Sequence, residues 1–280
     1  MPEVIDVAVF LGRWPFRNIP RSSRDDLHHV ADRCGIRRVV VSDFDNLFWE
    51  NATDAARQFA DTVAGDDRLV HFPIVNPPFP GALDDLRRLH DERPFCGVRL
   101  LCNYHGYSPD HPMVDRLIEW TRPEGLVVQV FRRIVDERLH WMLRVPPVPD
   151  DPLVNLVTRH PDQRFILSAL WFGEITRLFD AMGRPGHVWF DVSRCRGPEE
   201  WPVKLLDTVP ADRIVFGSLW PLQVIRSTLE EWIHAPIDPS VRATVLHDNA
   251  ARLLGLPAIL PSSVTEPLAM WAGEEPVSGE

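Results

Sequence analysis

A chain of 280 residues that is 45% hydrophobic and 25% charged has the proportions of a globular protein, with room for one large domain or two modest ones. No run approaches the roughly 18 uninterrupted apolar residues of a membrane span, and the start, MPEVIDVAVFLGR, is acidic before it reaches Arg13, unlike a secretory leader. Thirty basic against 40 acidic residues leave a formal charge of -10, which opposes sequence-independent attraction to nucleic acid or an anionic membrane while leaving local arginines able to hold a small anion.

The first strand is expected at 3–10 (EVIDVAVF). A helix follows in which Leu27, Val30, Ala31 and Cys34 share one face, with Ser23 placed to cap it and Gly35 to end it. Further short apolar runs stand at 37–42 (RRVVVS), 69–75 (LVHFPIV), 96–102 (CGVRLLC), 125–131 (GLVVQVF), 164–170 (RFILSAL), 187–193 (HVWFDVS) and 213–218 (RIVFGS), spaced as βα units. Apolar strands alternating with amphipathic helices require a parallel sheet covered by helices, and a count of eight closes it into a (β/α)8 TIM barrel. An open doubly wound sheet is the alternative, but no Gly-rich phosphate loop follows the first strand. No boundary divides residues 1–256, because the Pro-rich patches fall between units. Residues 257–280 form a Pro-rich acidic tail, expected either to pack against a neighbour, as in a homodimer, through Met270 and Trp271 or to stay mobile.

The four cysteines, Cys34, Cys96, Cys102 and Cys195, lack the spacing of a disulfide framework or a zinc site and suit a reducing cytoplasm. Lys204 is the single lysine, and it falls in a predicted helix, so no strand-end lysine offers a Schiff base. No nucleophile elbow, P-loop or dinucleotide fingerprint occurs, and no cofactor is expected.

In such barrels chemistry sits where strands end. Arg13, Trp14 and Arg17 follow the first strand and Ser42, Asp43, Asp45 and Asn46 the second. Asn76 follows the third, and Asn103, Tyr104, His105 and Tyr107 the fourth. Arg132, Arg133, Asp136 and His140 follow the fifth, in a long 131–150 connection read as a lid, with Trp171, Arg194 and Trp220 after the last three. His105 is a candidate acid or base, or a residue that merely fixes its loop; His140 is a candidate ligand contact in the lid, or solvent-facing. Asp43, with Asp45, suits a general base or a helix cap. Asp191 suits a base in the barrel mouth, or a structural partner of Arg99 or Arg194.

Arg99, inside a strand, requires an acidic partner or a ligand because an unpaired buried guanidinium is so costly, and Arg13, Arg17, Arg132, Arg133 and Arg194 are further anion contacts. Trp14, Trp49, Trp141, Trp171 and Trp220 would give a pocket aromatic walls, alongside Tyr104. His28, His29, His90, His160, His187, His234 and His247 lie on helices or at strand starts, where no catalytic role is expected.

The segments IDVAVFLGRWPF, GVRLLCNYHGYSPDHP (97–112), FGSLWP (216–221) and DNAARLLGL (248–256) resemble the amidohydrolase superfamily, in its amidohydrolase-related branch that includes aromatic-acid decarboxylases. That resemblance implies a barrel with divalent metals at the strand ends, held by a first-strand His-x-His, histidines on strands five and six and an aspartate on strand eight. Here those places carry Ala8 and Phe10, Gln129, the Ser168–Leu170 stretch and Leu219, so no metal is expected. Within the branch, a subset with Arg-Trp-Pro-Phe-Arg and Tyr-His-Gly-Tyr segments is similar at 13–17 and 104–107, while Leu101-Cys102 departs from its usual His-Pro. Two functions follow as expectations: a metal-independent hydrolase or lyase acting on a small anionic, aromatic or apolar substrate, or an inactive barrel kept for ligand binding or interaction.

Overall fold

A computed structural model describes residues 3–49, 51–135 and 144–256. All eight expected strands form, as β1 (Val4–Leu11), β2 (Ile36–Asp43), β3 (Leu69–His71), β4 (Gly97–Leu100), β5 (Val127–Phe131), β6 (Phe165–Ser168), β7 (Val188–Asp191) and β8 (Ile214–Val215), each parallel to the next within two ladders. The ladders run β1–β3 and β4–β8, and single bridges close them into a barrel: Ile74 to Arg99 at one seam and Val9 to Trp220 at the other. Pro73 explains the weak first seam, since it has no N–H for the ladder, and only its carbonyl takes part, accepting from Arg99 N at 2.9 Å.

The helices used below are α1 (Arg24–Cys34), α2 (Asp45–Phe48), α3 (Ala52–Val63), α4 (Ala82–Glu92), α5 (Pro112–Thr121), α6 (Asp150–Arg159), α7 (Phe172–Ala181), α8 (Trp201–Leu206), α9 (Ile225–His234), α10 (Pro239–Ala243) and α11 (Asn249–Leu253). The predicted punctuation of α1 holds: Ser23 and Asp26 make a reciprocal capping box, and Gly35 ends the helix at φ 67. Lys204 lies on α8, as expected.

Strand side chains divide between two environments. Val9, Leu11, Val39, Val41, Val98, Leu100, Val128, Val130, Leu167 and Phe190 pack outward under the helices. Inside, Ile5, Val7, Val40, Phe72, Val127, Ile166 and Val215 fill the base with α11 beneath them, while Ala8, Phe10, Phe44, Ile74, Leu101, Phe131, Ala169 and Leu219 form an apolar layer toward the C-terminal ends. Between these layers lies a polar belt of Ser42, Arg99, Gln129, Ser168 and Asp191, all fully buried.

Candidate active site

The belt is organised by an irregularity in β1. Pairing with β2 shifts register between Asp6 and Val9, and the Asp6 carboxylate fills the gap, its Oδ1 accepting from Ala8 N and Ser218 N at 3.0 Å each. The bulge leaves β1 carbonyls facing inward, where Arg99 meets them. Its Nη1 donates to Val9 O (2.7 Å) and Ser42 Oγ (3.0 Å), Nη2 to Val7 O (2.9 Å) and Val40 O (2.8 Å), and Nε to Gln129 Oε1 (2.8 Å). Five N–H donors therefore meet five acceptors, and none remains for a ligand. This corrects the expectation for Arg99: its direct partners are uncharged oxygens rather than an acid or a substrate, and the guanidinium ties four strands together. Gln129 extends the belt, donating to Val7 O at 3.0 Å and Ser168 Oγ at 2.8 Å.

Asp191 ends β7 inside this belt. Its Oδ1 accepts from Ser193 N at 2.6 Å, and the Ser168 and Ser193 hydroxyls stand beside the carboxyl. Burial pushes the Asp191 pKa up, against the pull of the Ser168 and Ser193 hydroxyls and the Arg99 charge. Burial likewise lifts Asp6 to about 6, with a smaller upward push from Asp191. Gly217 makes room for the Asp191 carboxyl: a Cβ there would lie 2.9 Å from Asp191 Oδ1 and 2.9 Å from Ala8 Cβ.

His105 stands elsewhere on the rim. Its Nε2 donates to the Leu47 carbonyl at 3.2 Å, which leaves the lone pair on Nδ1, buried and unpartnered. Burial lowers its pKa to about 4, so the ring is neutral at physiological pH. Its hydrogen bond to Leu47 and its ring contact with Tyr107 tie it to its own side of the rim, apart from Asp191 and Arg99. Asp43 turns back on its own loop: Oδ1 accepts from Asp45 N at 3.0 Å just before α2, whose N-cap position is Phe44, and burial raises the Asp43 pKa to about 6. Gly12, at φ +84, is required beside it, because any Cβ would collide with that same Oδ1.

The remaining expected ligand contacts scatter. Arg13 and Arg17 are exposed at the rim, Arg17 donating to Leu222 O at 3.0 Å. Arg132 is held by Asp150 and Glu174, and Arg133 by both oxygens of Glu174 at 2.6 Å, with its guanidinium 4.4 Å above Trp171; this ion cluster fixes the β5 end to α6 and α7. Arg132 is thereby corrected from ligand contact to framework, and Trp171 is a stacking platform for Arg133. Trp220 is also corrected: it packs in the outer layer between the barrel and α1 and α9, because the chain turns outward after Leu219. Tyr104 does line the mouth, 6.0 Å from Trp14, with Arg194 close enough to pull its raised pKa down. His140, Asp136, Trp141 and the rest of residues 136–143 in the expected lid lie outside the described residues.

The sequence reading missed three features. Asp6 and Gln129 were passed over as parts of a motif, although a lone carboxylate and amide within apolar strands signal a buried polar belt. The left-handed backbone of Ala169 (φ 60) and Leu219 (φ 59), at the ends of β6 and β8, had no signal, since neither residue favours it.

The mouth does not fit a divalent ion. Ala8 and Leu219 offer no donor, the Phe10 ring stacks on Phe44 at 4.7 Å, and the Arg99 cation lies 4.7 Å from that ring. Among the described residues no group of three or more His, Cys, Asp or Glu is placed to hold a metal.

An eight-stranded parallel barrel with a buried acid at a strand end defines the class of TIM-barrel enzymes and their relatives. The Amidohydrolase family model matches residues 10–256, and the chain belongs to that family. Among solved structures it is similar to 5-carboxyvanillate decarboxylase from Sphingomonas paucimobilis, at TM-score 0.72 and 15% identity, over 92% of this chain and 100% of that one. It is also similar to a dihydroxybenzoic acid decarboxylase from a Polaromonas species with bound manganese and 2-nitroresorcinol, at TM-score 0.71 and 15% identity, over 91% and 97%. The 2,6-dihydroxybenzoate decarboxylase from Rhizobium gives 0.68 and 15%, over 91% and 99%. These likenesses establish the fold. No curated protein sequence matches the chain.

Proposed function

We propose that this chain is a metal-independent enzyme acting on a small anionic substrate with an aromatic or apolar body, and that Asp191 moves the proton. The observation that carries this reading is the fully buried Asp191 carboxyl at the end of β7, set among the Ser168 and Ser193 hydroxyls and raised in pKa by burial. Phe10, Trp14, Phe131 and Tyr104 supply apolar walls, and Arg194, Arg13 and Arg17 supply positive charge at the rim.

A carboxyl whose pKa burial pushes up, and which therefore holds its proton more tightly, suits a lyase step more than hydrolysis. In decarboxylation of an aromatic acid, Asp191 gives its proton to the ring carbon bearing the carboxylate. The C–C bond then breaks, its electron pair restores the ring, and carbon dioxide leaves. The Asp191 carboxylate is then steadied by Ser193 N–H and Arg99 until it regains a proton from solvent. His105, with a free Nδ1 lone pair, is the second candidate for proton transfer.

The test is turnover of aromatic carboxylates with chelator present. Chelator leaves the rate unchanged and Asp191→Asn lowers kcat by roughly 100-fold or more with substrate binding retained. Loss of turnover on chelation with a stoichiometric metal in the untreated protein, or an Asp191→Asn variant as fast as its parent, overturns the reading. The engagement of Arg99, Arg132 and Asp43 in the framework favours the second reading, an inactive barrel that binds such ligands. It predicts equal binding by both proteins and turnover by neither.

A further inference from the structure

Asp6, on β1, and Asp191, at the end of β7, are both fully buried, and their carboxyls meet the chain at adjoining residues, Ser218 and Gly217. Ser218 N and Ala8 N each donate to Asp6 Oδ1 at 3.0 Å, and the Ser218 hydroxyl bonds to the same carboxyl. A Cβ on Gly217 would lie 3.0 Å from Asp191 Cγ and 2.9 Å from Ala8 Cβ, so glycine is what lets the Asp191 carboxyl close on the strand that carries Asp6.

Charge does not balance there. Arg99 is the cation that faces both acids, Asp191 more strongly, and its five N–H donors are all spent on uncharged oxygens. The other buried guanidiniums, of Arg132 and Arg133, are committed to Glu174. From the surrounding strands, β2, β5 and β6 bring the uncharged Ser42, Gln129 and Ser168. His71 from β3, Cys34 from α1 and Cys195 after β7 are the titratable neighbours, and burial keeps the imidazole and both thiols neutral. Two carboxyls therefore share one positive charge. Ionising one balances the guanidinium, whereas ionising both leaves net negative charge in a dry interior, which is strongly disfavoured.

We propose that Asp6 and Asp191 act as a pair that retains one proton against the Arg99 charge, which makes Asp6 a positioning residue for Asp191: its carboxyl sets how firmly Asp191 keeps the proton it transfers. The pair stands by itself, and its bearing on catalysis rests on the role proposed for Asp191. Burial and the Asp191 charge both push the Asp6 pKa up, to about 6, the direction mutual repulsion requires. Protons then leave in two macroscopic steps that belong to the pair.

The test follows the side-chain carboxyl carbons by NMR across a pH series in the parent, Asp6→Asn and Asp191→Asn. In the parent both carbons are expected to respond at both steps. In each variant the remaining carboxyl titrates at least about one pH unit below the parent's upper step, because the repulsion is gone. Independent acids behave otherwise: each parent carbon follows one step alone, and one of the two variants leaves the upper step unmoved. Either result overturns the pair, and the parent's curves decide it without the variants. Turnover is the second readout. As an acid Asp191 works protonated, so kcat falls as pH rises through the upper step, and Asp6→Asn moves that fall to lower pH by the same interval without a matching change in KM. Shifted carbons with a kcat limb that stays in place overturn the positioning role, whereas shifted carbons with no turnover in the parent uphold the pair and reject the proposed function.

Discussion

The Arg99 guanidinium carbon lies 4.7 Å from the centre of the Phe10 ring and 5.4 Å from that of Phe131, a cation held between two aromatic faces inside the barrel. Phe10 occupies one of the two positions where the family resemblance expects first-strand histidines. A fixed side-chain cation and an aromatic ring therefore stand where the resemblance implies an ion and its ligand.

Arg99 is expected to be a keystone of stability. Replacing it with Met takes the Arg99 donor from the carbonyls of Val9 and Val40 in a dry interior and leaves Val7 O with Gln129 alone, a cost of about 3–5 kcal/mol. Lys, with three donors against five, recovers only part. Urea unfolding of Arg99→Met and Arg99→Lys measures this, and a Met variant as stable as the parent removes the structural role.

Gly217 separates positioning from folding. An alanine there pushes on the Asp191 carboxyl and on Ala8 from 2.9 Å, and Asp191 has a serine belt into which to yield. Under the proposed function Gly217→Ala lowers kcat by on the order of 10- to 100-fold with a much smaller change in melting temperature. Equal turnover by the two proteins contradicts the role given to Asp191.

Asp6 should make stability fall as pH rises. Its folded pKa of about 6 exceeds the unfolded value of 3.8, so the native state binds the extra proton. The associated stability is fully present below 3.8 and lost as pH passes through about 6. Asp6→Asn keeps an Oδ1 acceptor for Ala8 N and Ser218 N and removes the titration. Relative to the parent it should gain up to about 3 kcal/mol between pH 4 and 7, read from unfolding curves at fixed pH steps. A difference that stays flat across that range rejects the assignment.

His71 acts with the opposite sign. It packs on Phe59 with its Nε2 buried and unbonded, and burial lowers its pKa from 6.5 to about 3. The unfolded chain takes the proton first, so stability present above 6.5 is lost as pH falls toward 3. His71→Phe removes this acid sensitivity without loss at neutral pH. An unchanged acid slope in that variant assigns the sensitivity to other groups, such as His105.

The succession of apolar runs and amphipathic helices determined the barrel by itself, because each run is long enough for one buried strand and each helix has one face to cover it. The capped start of α1 and its glycine stop were equally local, since the Ser23–Asp26 box and the left-handed Gly35 involve only neighbours in the chain. The site was less legible, because spacing along a strand fixes which way a side chain points and not what meets it. Arg99 was correctly marked as needing partners, yet most of those partners are β1 and β2 carbonyls 59 to 92 residues away, exposed by a bulge that no local pattern announces. Trp220 and Asp43 likewise followed strands as active-site residues would, and only the turn after Leu219 and the backbone N–H of Asp45 decided that one packs outward and the other bonds within its own loop. Periodicity determines burial, whereas the partners of buried polar groups are decided by contacts between distant segments, and those exist only once the barrel has closed.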